Sequence, residues 1–153
     1  RMAISGYKAS DHSTQYEVAQ KSYYTNFAID AFIINLGQND FATSDVDFLA
    51  NMNIIITRAK SARPDTPIYL THWWSTVHDA KRTLIKQLAN DNNLQIIDTK
   101  EIFLNWTYGF NNGLLNSPSV VNDPHLNAKG SNYIGSLVSK ILSIDAVNGS
   151  LQN

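Results

Sequence analysis

Three stretches of the chain hold side chains that could do chemistry if a fold gathered them. Gly37-Gln38-Asn39-Asp40 ends an apolar run and presents an amide and a carboxylate. Asn122-Asp123-Pro124-His125 leads through Leu126-Asn127-Ala128-Lys129 to Gly130, just before the last helical pattern. Ile4-Ser5-Gly6 is a short apolar stretch stopped by a glycine. Together they offer an uncharged donor, carboxylates and an imidazole, the parts that acid–base chemistry uses. Each also has a plain structural reading: a turn with a helix cap at 37–40, a surface histidine at 125, a turn glycine at 6.

The elements that must position these residues alternate in kind. Residues 2–5 read as the end of a strand, and 7–12 as polar loop. Residues 13–25 read as a helix with Tyr16, Ala19 and Tyr23 on one face. The run Ala31, Phe32, Ile33, Ile34, Leu36 suits a strand buried on both faces, as in a parallel sheet. Ser44-x-x-Asp47 resembles a capping box and starts a helix reaching about Ala62. Its inner stripe is Leu49, Met52, Ile56 and Ala59, widened by Phe48 and Ile55. Arg63-Pro64-Asp65-Thr66-Pro67 is a turn. Strands follow at 68–71 and 94–98, separated by a helix at 79–90 with Ala80, Leu84, Ile85 and Leu88 inward. Residues 99–105 make a short helix at most, and 106–127 a long loop of the kind that usually serves function. A final helix runs from about 128 to 143. Such alternation predicts an α/β fold of three α/β/α layers around a flavodoxin-like parallel sheet. Right-handed crossovers then bring Gly6, Gly37, His72 and Asp98 to one sheet edge.

The bulk composition bounds the function. The chain has 153 residues, 43% hydrophobic and 16% charged, which is a globular composition. A net charge of −1 gives no electrostatic case for nucleic acid or an anionic membrane. No apolar run approaches the ~20 residues that would span a bilayer. The absence of cysteine excludes disulfides and thiolate sites. The four histidines lack zinc-type spacing, so neither a metal nor another cofactor is expected. Asn105-Trp106-Thr107 and Asn148-Gly149-Ser150 fit the glycosylation sequon, which matters only in a secreted or cell-surface setting.

Taken in order and spacing, the three stretches resemble the SGNH hydrolases, the GDSL-type esterase and lipase superfamily. Gly37-Gln38-Asn39-Asp40 matches the family's Gly-x-Asn-Asp block, and His125 with Gly130 matches its histidine block. Ile4-Ser5-Gly6 is similar to the glycine block after the second strand. The resemblance implies one hydrolase domain over 1–145, from the second strand onward, with 146–153 a frayed tail. It implies acyl transfer from an ester to water by a serine. His125 is then the general base. The Gly6 N–H, the Asn39 amide and the serine's own N–H are the oxyanion donors. Asp40 is expected to be structural, satisfying loop N–H groups.

Two departures from the family pattern shape the expectation. No Gly-Asp-Ser block matches, so the first strand and the nucleophile are expected from an N-terminal segment or companion fragment. The residue three before the histidine is Asn122 rather than aspartate, with Asp123 one step nearer, so either is a candidate to orient His125. An Asp-x-His form occurs in the carbohydrate esterase family 2 type. The expected substrate is therefore a small acyl ester, acetylated carbohydrate first. Trp73 and Trp74, at a strand exit, and Gln38 are the candidate substrate-binding residues, although either tryptophan could instead fill the gap between sheet and helix. A lysophospholipase, thioesterase or acetyltransferase of the same superfamily is the rival enzyme, and a carbohydrate-binding module the rival of another class. His12 and His78 are expected on the surface.

Overall fold

A computed structural model describes residues 7–14, 17–71, 79–97 and 128–147. Its three strands are β1 (Phe32–Ile34), β2 (Ile68–Thr71) and β3 (Gln95–Ile97), in the order β1-β2-β3. Both pairings are parallel: Ile33 lies opposite Tyr69, and Leu70 opposite Ile96. Parallel neighbours need a crossover. Helix α3 (Asp45–Ala62) makes the first and α4 (Asp79–Asn92) the second. Strand order follows chain order, so right-handed crossovers put both helices on one face. The α/β class, the parallel sheet and its flanking helices are those expected from the sequence.

The core shows why these residues choose these elements. Phe32, Ile68 and Leu70 of the sheet join one apolar cluster with Phe48, Met52, Ile55, Ile56 and Ala59 of α3 and Ile85, Leu88 and Ala89 of α4. Burying each large side chain of this kind stabilises the fold by roughly 1.5–3 kcal/mol. The expected stripe of α3 is thus the buried one, with Leu49 half-buried at its margin. Helix α4 ends at Asn93, whose φ of 52° is the left-handed position that asparagine tolerates. The Leu94 N–H then reaches the Ala89 carbonyl at 2.8 Å, closing the helix end and turning the chain into β3. Helix α5 (Ala128–Val147) packs on β3 and runs past the expected end near 143.

Three expectations are corrected. Residues 9–12, expected as loop, belong to a helix, α1 (Ala9–Thr14), and the expected helix at 13–25 is divided between it and α2 (Glu17–Asn26). The inward face of α2 carries Gln20 and Tyr24, while Ala19 is exposed and Tyr23 half-buried. The reason is polar: Arg58 of α3 bonds the Gln20 Oε1 at 2.6 Å and so chooses the face. In β1, Ile33 is 43% exposed rather than buried on both faces. The sheet face it shares with Tyr69 is covered at Tyr69 and open at this edge. The expected strand at 2–5, helix at 99–105 and loop at 106–127 lie outside the described residues.

Helix α3 starts as the sequence indicates, with the Ser44 Oγ accepting the Asp47 N–H at 3.1 Å. Ser44→Ala is expected to lower stability by about 1 kcal/mol, read as a shift in urea midpoint at constant slope. An unchanged midpoint would mean that the cap is not made in solution.

Candidate active site at the exit of the first strand

The turn after β1 is built on Gly37. Its φ of +114° is one that side-chain-bearing residues rarely adopt, and a Cβ there would meet the Phe48 ring at 3.4 Å and Ile85 at 3.5 Å. The chain folds tightly past it: the Asp40 N–H bonds back to the Gly37 carbonyl at 3.3 Å, and the Thr43 N–H to the Asp40 carbonyl at 2.9 Å. Gln38 and Asn39 are left half-buried at the carboxyl end of the strand, where open α/β sheets hold ligands. At the same edge the Thr71 hydroxyl donates to the Asn35 side chain at 2.7 Å, tying the exits of β1 and β2 together.

Asn39 and Asp40 reach across to the segment before α1. The Asn39 Nδ2 donates to the Tyr7 carbonyl at 3.2 Å. An amide nitrogen carries two N–H groups. Tyr7 takes one, and among the described residues no acceptor takes the other. Asp40 is fully buried, and both its carboxylate oxygens lie 3.2 Å from the Ala9 N–H. Burial pushes its carboxyl above the ordinary value of 3.8, against the opposing pull of the Ala9 N–H, Lys8, Lys81 and Thr43. Asp40 is thus the structural carboxylate that was expected. Lys81 of α4 braces the turn from the far side. Its Nζ donates to the Thr43 carbonyl at 2.7 Å and to Asp45 at 2.8 Å, and it stands 5.4 Å over the Phe48 ring.

The other end of α1 is tied by Arg58. Its guanidinium donates to the Ser13 carbonyl at 2.9 Å and the His12 carbonyl at 3.4 Å. His12, expected on the surface, is 7% exposed and meets the Tyr7 ring edge-on. Burial holds it below its ordinary 6.5, although Asp11 and Asp40 pull the other way. His12 and Lys81 had no signal in the sequence. Their roles come from contacts more than thirty positions away in the chain, as with Arg58 on His12 and Lys81 on Thr43.

Of the site residues read from the sequence, Gln38 and Asn39 are brought to the expected edge. Gly6, Trp73, Trp74, Asn122, Asp123 and His125 lie outside the described residues, as does His78.

The fold has a solved counterpart. The chain is similar to the crystal structure of a carbohydrate esterase family 3 protein from Talaromyces cellulolyticus. The TM-score is 0.67, and the match covers 92% of this chain and 69% of the other. The sequences are 19% identical, so the likeness is one of fold. No protein-family model and no curated protein matches the chain. The protein thus has a carbohydrate-esterase-like α/β fold.

Two outcomes are expected from the turn and its neighbour. Gly37→Ala should destabilise by about 1–3 kcal/mol through the forced φ, seen as a lower urea midpoint. A histidine buried neutral contributes stability that is present above 6.5 and lost as pH falls through its lowered folded value. Between about pH 7.5 and about pH 5.5, wild type should therefore lose stability relative to His12→Gln. Parallel pH dependence in the two proteins would show that folding does not hold His12 below its ordinary value.

Proposed function

We propose that the protein is a serine esterase of the SGNH type that removes small acyl groups, acetyl above all, from carbohydrate. The observation that carries this reading is Asn39. Its uncharged amide stands at the exit of β1 with one N–H fixed by Tyr7, and among the described residues no acceptor takes the other. The carbohydrate-esterase-like fold supports it, as does the Gly-x-Asn-Asp and His-x-x-x-x-Gly spacing of the sequence.

In this reading a serine Oγ attacks the ester carbonyl as His125 takes the hydroxyl proton. The carbonyl oxygen becomes an oxyanion, stabilised by the Gly6 N–H and the Asn39 amide. Collapse expels the sugar alcohol, which receives the proton from His125. Water then attacks the acyl-enzyme by the same route, releasing the acid and restoring the serine. Asn122 or Asp123 orients the imidazole. Trp73, Trp74 and Gln38 are the substrate-binding residues of this reading. The serine is not assigned within residues 1–153. It comes from a strand beside β1, supplied by an N-terminal segment or a companion fragment. Among the described residues β1 pairs on one side alone, with β2, and Ile33 is exposed at that edge.

Asn39→Ala in the complete protein should lower kcat on p-nitrophenyl acetate by about 10²–10³. Its urea midpoint should shift by no more than one hydrogen bond's worth, about 1 kcal/mol. Unchanged activity would remove Asn39 from the oxyanion hole. A fluorophosphonate should label one serine, and His125→Ala should abolish the labelling. Absence of any label on the complete protein would favour the carbohydrate-binding module instead.

A further inference from the structure

We infer that Asp40 is a positioning residue: together with Asn39 it staples the backbone of Tyr7–Ala9 to the exit of β1, and so fixes the direction of the Asn39 amide. The inference rests on the esterase reading for its catalytic consequence and on geometry for the staple itself. Asn39 and Asp40 are consecutive. They hold points two residues apart on the other segment, the Tyr7 carbonyl at 3.2 Å and the Ala9 N–H at 3.2 Å. One bond alone would leave a pivot. Two bonds on adjacent residues, one donated and one accepted, fix both the position and the rotation of the segment against the turn.

The chemistry of the second bond shows how firmly the segment is held. A fully buried carboxylate is costly unless hydrogen-bonded. A charge-assisted bond to a backbone N–H is roughly twice as strong as a neutral one. Both Asp40 oxygens point at the same N–H. The far end of α1 cannot swing either, because Arg58 holds the Ser13 and His12 carbonyls. The segment so immobilised begins one residue after Gly6, the other proposed oxyanion donor. Asp40 touches no reacting atom. It acts through the backbone that Asn39 also grips, so the Asn39 amide keeps one direction.

The test uses Asp40→Ala and the near-isosteric Asp40→Asn in the complete protein, read by amide exchange, side-chain amide NMR signals and steady-state kinetics. In Asp40→Ala the Ala9 amide should exchange about tenfold faster while the α3 amides keep their protection. The Asn39 side-chain signals should shift. The kcat on p-nitrophenyl acetate should fall about 10- to 100-fold with little change in KM, as for a misplaced catalytic group. Asp40→Asn keeps an acceptor oxygen and should recover most of that loss, and it serves alone if the alanine variant fails to fold. In an Asn39→Ala background the further loss from Asp40→Ala should shrink to about twofold, because the two residues act as a unit. Full additivity, or an unchanged kcat in a folded Asp40→Ala protein, would overturn the positioning role. Unchanged Ala9 exchange and Asn39 signals would overturn the staple, whatever the activity. A wild-type protein that neither hydrolyses esters nor takes the fluorophosphonate would instead overturn the esterase reading and leave the staple to stand or fall on the NMR signals.

Discussion

The buried carboxylate of Asp40, accepting the Ala9 N–H, is the contact on which the arrangement at this sheet edge depends. A six-residue helix has no stability of its own in water, since nucleation outweighs the few bonds it closes. α1 exists because its two ends are held by charges of the sign that its dipole favours. The Asp40 carboxylate meets its first N–H, and the Arg58 guanidinium meets its last carbonyls. Both anchors come from the β1–α3 unit. The segment over the strand exit is therefore tied at both ends to the unit that carries the core.

That core supplies the rigidity the anchors need. Phe48 lies under Gly37, packs into the cluster shared by α3, α4 and the sheet, and carries Lys81 over its ring. Lys81 is itself buried and bonded to Thr43 and Asp45 at the start of α3. A shift of the turn would therefore have to break apolar packing and strand a buried ammonium at once. Removing one partner of such a group leaves a desolvated charge, which is far more costly than an exposed ion pair is helpful. The absence of a side chain at Gly37 lets the turn sit this close to the core.

How much of this was legible in the sequence differs by element, and the reason is the range of the interactions. Helix α3 was readable because its cap, Ser44 to Asp47, and its stripe, Met52 to Ile56 to Ala59, are local and periodic. Strand β2 was readable because its four residues are all buried in the middle of the described sheet. Strand β1 misled at Ile33, because a strand paired on one side among the described residues looks the same in the sequence as a central one. α1 was read only at its last two residues: its Asp11 carboxylate caps the Lys8 N–H locally, but the bonds at its ends come from Asp40 and Arg58, far along the chain. The face of α2 was misjudged by one position for the same cause, since Arg58 draws Gln20 inward. At the candidate site the motif located Asn39 and Asp40 but could not say what each would hold. Tyr7 and Ala9 enter through backbone atoms, which carry no sequence signature.

The pairing of an amide with a carboxylate at adjacent positions poses an electrostatic problem, and the structure shows its solution. In the proposed esterase reading, Asn39 donates to a developing negative charge and should not have a bare anion as its neighbour, because like charges in a low-dielectric site repel strongly. Asp40 is engaged by the Ala9 N–H, and its charge is further offset by Lys8 and Lys81. The offset is incomplete, since burial still pushes its carboxyl up. A group raised in this way contributes stability below its unfolded value and loses it as pH rises through the folded one, whereas His12 beside it runs in the opposite sense. At neutral pH the fold thus carries a carboxylate at a cost and a histidine without one. A neutral side chain at position 40 would relieve that cost, but it would weaken the bond that fixes Tyr7–Ala9. In the proposed esterase reading, keeping the charge favours a rigid donor over maximal stability, the balance expected where a residue serves a preorganised dipole and not the fold alone.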